Sequence, residues 1–84
     1  MPDTNVTYLL RCADGTYYCG WTNDLDKRLR AHNAGTASKY TRSRRPVALV
    51  WLERCGDRSA ALRREREIKR MSREEKIRLT EKET

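Results

Sequence analysis

Short apolar runs alternate with long charged ones along the chain, and the spacing of the apolar positions changes as it proceeds. Val6-Thr7-Tyr8-Leu9-Leu10-Arg11-Cys12 is mostly apolar and dense in strand formers, the pattern of a buried central strand. Asp14-Gly15 is a hairpin turn signal, and Thr16 to Trp21 returns as a second strand. Tyr8 and Tyr18 therefore fall on paired strands, where cross-strand neighbours touch, while Tyr17 and Tyr18 point to opposite faces. From Leu25 the period lengthens to that of a helix. Leu25 and Leu29 form its buried stripe, Thr22 or Asn23 its cap, and Asn33 or Gly35 its end, with Asp24 and Asp26 in the first turn. Gly35 to Pro46 reads as a basic loop with at most one helical turn. Val47-Ala48-Leu49-Val50-Trp51-Leu52 is short enough for a third buried strand. Asp57 or Ser59 caps a second helix, on which Ala61, Leu62, Glu65, Ile68 and Lys69 share a face. Ser72-Arg73-Glu74-Glu75 matches a capping box and opens a short helix with Ile77 and Leu79. Met1 to Asn5 is expected to be a loose leader and Thr80 to Thr84 to fray. The predicted fold class is α+β: a small three-stranded, mainly antiparallel sheet packed with helices, one domain over residues 1–84 with its core at about 6–79.

Composition sharpens this picture. In 84 residues, 37% hydrophobic content leaves material for one small core. The net charge of +7 favours a polyanionic partner, most often nucleic acid, although charge alone also fits a ribosome or a membrane surface. The charge is concentrated: residues 27–54 hold eight Lys/Arg against one Glu. No apolar run approaches a membrane span, and no secretory leader opens the chain. Cys12, Cys19 and Cys55 lie far apart with no C-x-x-C pair, a poor zinc site and an odd count for a disulfide framework. They read as reduced, mostly core thiols, and the expected location is cytoplasmic, with association with the nucleoid left open.

The candidate chemistry sits between Tyr17 and His32. Arg28 and His32 are one helical turn apart and share a face at the edge of the Leu25/Leu29 stripe. An arginine can grip a phosphate with two hydrogen bonds, and tyrosine or histidine can move protons. Glu65 lies between Leu62 and Ile68 on a face expected to be buried, where a carboxylate is costly unless it is paired or holds a cation. Two readings stay open: a salt bridge to Arg28 or another arginine, or a ligand for Mg²⁺ or Mn²⁺. Taken singly, the tyrosines are packing residues, His32 is a surface or capping histidine, and Arg28 is solvated. Their coincidence at one small sheet points to a site.

Val6-Thr7-Tyr8, then Tyr18-Cys19-Gly20, then Asn23-Asp24-Leu25 leading to Arg28 and His32, with Glu65 ahead of Ile68-Lys69, resembles the GIY-YIG nuclease superfamily. Tyr40-Thr41-Arg42 and Arg45-Pro46-Val47 resemble its small single-domain bacterial members. Both name-giving motifs are degenerate here, but Tyr8, Tyr18, Arg28, His32 and Glu65 all have counterparts. The resemblance implies a divalent-metal-dependent endonuclease that hydrolyses phosphodiester bonds, with a place in DNA repair. It implies Glu65 on one Mg²⁺ or Mn²⁺ ion, Arg28 on the scissile phosphate, and Tyr18 or Tyr8, directly or with His32, deprotonating the attacking water. Lys27, Lys39, Tyr40, Arg42, Arg44 and Arg45 are the expected nucleic-acid contacts. DNA is the expected partner, single-stranded, flap or branched and read with little sequence specificity, with RNA left open and no membrane. A non-cleaving nucleic-acid-binding module or a basic accessory protein are the competing readings.

Overall fold

The structure, a computed structural model, describes residues 4–81. Most of the expected loose leader (residues 1–3) and the end of the expected frayed tail (residues 82–84) lie outside the described residues. The elements run β1 (Val6–Arg11), β2 (Tyr17–Thr22), α1 (Leu25–Ala34), α2 (Lys39–Arg42), β3 (Ala48–Arg54), α3 (Arg58–Lys69) and α4 (Arg73–Glu81). Thr80 and Glu81 are therefore helical rather than frayed, and the Thr80 hydroxyl donates to the carbonyl of Ile77 at 2.7 Å.

The sheet order is β2-β1-β3, with both pairings antiparallel. The apolar density of the first run is explained by its place in the centre, where Val6 to Leu10 are all buried. The hairpin turns through Gly15, at φ +85°, and the Asp14 carboxylate accepts from both the backbone and the hydroxyl of Thr16. Alternation of side chains across the sheet makes two apolar layers. Tyr8, Leu10, Cys12 and Val47 pack on one side with Leu25 and Leu29 of α1. Leu9, Cys19, Trp51 and Ile68 pack on the other, with Met71 and with Leu79 of α4. Tyr18 joins the first layer and Tyr17 the second, as strand alternation requires. Thr7 is fully buried beneath α3 because its hydroxyl donates to the carbonyl of Ala61 at 2.7 Å.

The helix ends follow the sequence with one correction. Asp24, not Thr22 or Asn23, caps α1: its carboxylate accepts from the Lys27 amide. The Thr22 hydroxyl is taken up one step earlier, accepting from the Asp24 amide at 3.0 Å. Gly35 closes α1 at φ +84°, a conformation that favours glycine. Asp57 caps α3, and the Ser72–Glu75 capping box forms in both directions. Cys12, Cys19 and Cys55 are free thiols, and burial pushes Cys19 up to about 12, so it stays protonated.

Candidate active site

The site is built where β1, β2, α1 and α2 meet. In the β1–β2 register Tyr8 stands opposite Gly20 and Leu10 opposite Tyr18, so the two tyrosines are diagonal neighbours on one face. Gly20 is there because Tyr8 needs the space: a Cβ at position 20 would lie 2.5 Å from the Tyr8 hydroxyl and 2.7 Å from Cζ. The ring therefore lies across the second strand, and its hydroxyl reaches the helix beyond.

There it meets His32. Tyr8 Oη and His32 Nε2 share a hydrogen bond of 2.8 Å, and the tyrosine is 1% exposed. His32 is fully buried rather than placed at a solvated helix edge, a correction to the helical reading. The cause is α2, whose position helical periodicity could not reveal. Thr41 of α2 covers the imidazole, with Oγ1 2.8 Å from Nδ1. Tyr18 presents its ring edge-on to His32 at 5.2 Å between centroids. Burial, with the Arg28 charge adding to it, holds the histidine below its usual range, so the imidazole is neutral near pH 7.

Burial also pushes the Tyr8 phenol well above its ordinary range, the neighbouring Tyr18 adding to the shift. Arg28 pulls it back and Glu65 pushes it further, so both charges act on the Tyr8 hydroxyl from their separate helices. Arg28 itself is exposed on α1, free to meet an anion. The Glu65 carboxylate is 17% exposed, less open than its helix position beside the exposed Lys69 requires. The ion pair it makes is with Lys69, at 3.7 Å and one turn on, not with Arg28 or another arginine as the sequence had left open. Lys69 is half exposed, and such a pair on one helix contributes little.

Among the described residues, no group of three or more His, Cys, Asp or Glu side chains converges. A cage made wholly of protein ligands is therefore absent there. A single, partly buried carboxylate with a loose ammonium partner does fit Mg²⁺, which keeps several waters and takes one or two carboxylates beside phosphate oxygens. Glu65 is the residue present that could serve.

The basic loop is more ordered than expected. Ser38 caps α2, and its carbonyl accepts from the Arg42 amide and the Thr41 hydroxyl. Arg44 is held by Asp14 at 3.0 Å across the sheet end, and its guanidinium sits 3.9 Å over the Tyr40 ring. Tyr40 stacks on Tyr18 with centroids 5.9 Å apart, yet stays 37% exposed. It is thus neither a free platform nor buried packing. Arg45 is tied down as well, donating to the Arg42 carbonyl at 2.8 Å. Lys27, Lys39 and Arg42 are exposed. Arg42, Arg45 and Asn33 line an open depression on this side.

Three residues of this assembly escaped the sequence reading as functional candidates. Thr41 bonds His32, Ser38 accepts from Thr41, and Asn33 clamps the approach to β3 through two hydrogen bonds to Val47, at 2.9 and 3.2 Å. Thr41 lies inside Tyr40-Thr41-Arg42, the one sequence signal that could have found it.

The chain is similar to known proteins in both sequence and fold. The family model described as the GIY-YIG catalytic domain matches residues 4–78. A UPF0213 protein of Syntrophus aciditrophicus is 53% identical over 89% of this chain and 87% of the relative. One from Haloquadratum walsbyi is 49% identical over the whole chain and 94% of the relative. The solution NMR structure of the UPF0213 protein from Bacillus halodurans superposes with a TM-score of 0.59 at 39% identity, covering 92% of this chain and 82% of that one.

Proposed function

The chain belongs to the GIY-YIG family, whose catalytic domain points to an endonuclease, and from that premise we propose that it is a divalent-metal-dependent nuclease acting on DNA. The observation that carries this reading is the Tyr8–His32 hydrogen bond, lying within the electrostatic reach of both Arg28 and Glu65. A module that only binds nucleic acid needs no buried phenol–imidazole pair.

In this reading Arg28 neutralises charge that grows on the scissile phosphate. Glu65 would hold Mg²⁺ or Mn²⁺, which when bound polarises the phosphate and eases departure of the 3′ oxygen. Tyr8 takes the proton of the attacking water. Because burial disfavours a standing tyrosinate, the phenol does not ionise in advance. Its own proton passes to Nε2 of the neutral His32 as the oxygen receives the proton from water, and hydroxide is delivered to phosphorus. The imidazolium left behind then returns its proton to the Tyr8 oxygen as the Tyr8 hydroxyl releases its own to solvent, and the departed 3′ oxygen takes a proton from water. Tyr18, partly exposed and edge-on to His32, shapes the opening toward the substrate.

Lys27, Lys39, Arg42 and Arg45 would touch backbone phosphates, which position a strand without reading its sequence. Arg44 would act through Tyr40 and Asp14, and Tyr40 would meet an unstacked base at its open edge. Because Tyr40 keeps an exposed edge that an unstacked base could meet, single-stranded, flap or branched DNA is the favoured substrate, and a cytoplasmic location on or near the nucleoid belongs to the same proposal. The test is a cleavage panel of single-stranded, duplex, flap and branched DNA, with RNA alongside, in Mn²⁺, Mg²⁺ and EDTA. Metal-dependent cutting strongest on the structured or single-stranded DNA supports the reading. A protein that binds every form and cuts none refutes it.

A further inference from the structure

His32 is bonded through both ring nitrogens, and the nitrogen turned away from Tyr8 decides what the other can do. A neutral imidazole has one N–H and one lone pair. Nε2 lies 2.8 Å from the Tyr8 oxygen and Nδ1 2.8 Å from Thr41 Oγ1. His32 and Thr41 are fully buried and Tyr8 nearly so, which leaves little water to complete an unsatisfied bond. Distances alone do not say which nitrogen carries the hydrogen, but the rest of the network does.

The Thr41 hydroxyl has one hydrogen and two neighbours. Besides His32 Nδ1 it faces the Ser38 carbonyl at 3.4 Å, and a carbonyl can only accept. When Thr41 donates to Ser38, its oxygen must accept, so His32 carries its hydrogen on Nδ1. The Nε2 lone pair is then open to the Tyr8 O–H. Each hydrogen in the series finds an acceptor: Tyr8 to His32, His32 to Thr41, Thr41 to Ser38. The opposite arrangement wastes the network. Thr41 would donate to Nδ1, the Ser38 contact would hold no hydrogen, and Nε2–H would point at Tyr8. The Tyr8 hydrogen would then need another acceptor, whereas the hydrogen-bond partner the Tyr8 hydroxyl has among the described residues is His32. Ser38 is itself fixed as the cap of α2, where its hydroxyl accepts from the Tyr40 amide at 3.1 Å.

We infer that Thr41 is a positioning residue that holds His32 in the Nδ1–H tautomer and so makes Nε2 the acceptor for the Tyr8 proton. Its consequence for rate rests on the nuclease reading above, whereas the tautomer itself does not. A tautomer set wrongly can disable a histidine whose geometry is otherwise intact.

His32 is the sole histidine of the chain, so its ring nitrogens are observed without overlap. Long-range proton–nitrogen correlation spectra of the full ¹⁵N-labelled protein, recorded where the ring is neutral, separate a protonated nitrogen from one with a lone pair. The wild type and Thr41→Ser should both show hydrogen on Nδ1. Thr41→Val keeps the shape and removes the acceptor, and should move the hydrogen wholly or partly to Nε2. On the best DNA substrate Thr41→Val should lose at least about tenfold in turnover while Thr41→Ser stays near wild type. A wild-type ring protonated on Nε2, or a Thr41→Val ring unchanged from wild type, overturns the inference. If Thr41→Val does not fold, the wild-type and Thr41→Ser spectra decide, since Nε2–H in either contradicts the network. Absence of any cleavage by the wild type would sink the nuclease reading and leave the spectral result standing on its own.

Discussion

Gly20→Ala is the substitution on which the geometry of the site makes its strongest demand. Gly20 does not have a positive φ, so the backbone accepts alanine and the cost is steric. The new Cβ would lie 2.5 Å from the Tyr8 hydroxyl, 2.7 Å from Cζ and 3.2 Å from Cε2. A ring 1% exposed, with its hydroxyl tied to His32, can yield only by lifting off the second strand and breaking that bond. Overpacking of a filled core costs about 1–3 kcal/mol. The lost Tyr8–His32 hydrogen bond adds about 1 kcal/mol. Together these reach roughly 2–4 kcal/mol, and in a domain of this size each kcal/mol moves Tm by about 4–8 °C. A fall of at least about 8 °C in a thermal melt is therefore expected, with a changed His32 ring spectrum and lost cleavage. Gly15→Ala is the control. It is strained by its φ of +85°, but its Cβ meets nothing, so it should cost about 1 kcal/mol and leave His32 untouched. An unchanged Tm and unchanged His32 signals in Gly20→Ala would refute the claim that glycine is required here to seat Tyr8.

Three further outcomes follow from the same site. Arg28→Ala should lose about 2–4 kcal/mol of transition-state stabilisation in cleavage kinetics with its melting temperature almost unchanged, because the side chain is exposed; wild-type turnover would remove Arg28 from the reaction. His32 is held below the ordinary value of 6.5, so the unfolded chain takes up its proton first as pH falls. Stability should therefore be level above about pH 7 and decline below about pH 6.5, and urea melts of His32→Gln should show a flatter profile there; parallel profiles would contradict a buried neutral imidazole. Lys39→Ala with Arg42→Ala should lower the slope of log affinity against log salt by just under about two for duplex DNA and a little less for single strands, whereas an unchanged slope in binding titrations would take both residues off the phosphate track.

The sheet was legible because its signals are local. Val6 to Leu10 carry the density that a central strand needs, Asp14-Gly15 marks the turn, and Ser72 with Glu75 spells out a capping box that forms as written. The candidate site residues could be picked out one by one, but the geometry that joins them could not. Leu25 and Leu29 mark the core-facing stripe of α1, but the burial of His32 depends on Thr41 nine residues on and Tyr8 twenty-four residues back. Arg44 finds Asp14 thirty residues away, and no periodicity announces such a contact. The α1 cap was misplaced by two residues at most because Thr22, Asn23 and Asp24 are all good caps, and Thr22 is diverted to the Asp24 amide. Glu65 was singled out by its place on an apolar face, yet its partner proved to be the neighbouring Lys69, which one helical turn supplies.

The central claim, that Tyr8 and Glu65 serve one phosphodiester hydrolysis, is tested most directly by single-turnover cleavage of the best DNA substrate in Mn²⁺ by wild type, Tyr8→Phe and Glu65→Gln. Each variant is checked for native melting behaviour, and Mn²⁺ should raise the Tm of wild type and not of Glu65→Gln. Cleavage should fall at least about a hundredfold in Tyr8→Phe, the loss expected for a general base, and to the level of wild type in EDTA for Glu65→Gln. Folded variants that cut at the wild-type rate, with an equal Mn²⁺ response in both carboxylate and amide forms, would contradict the account.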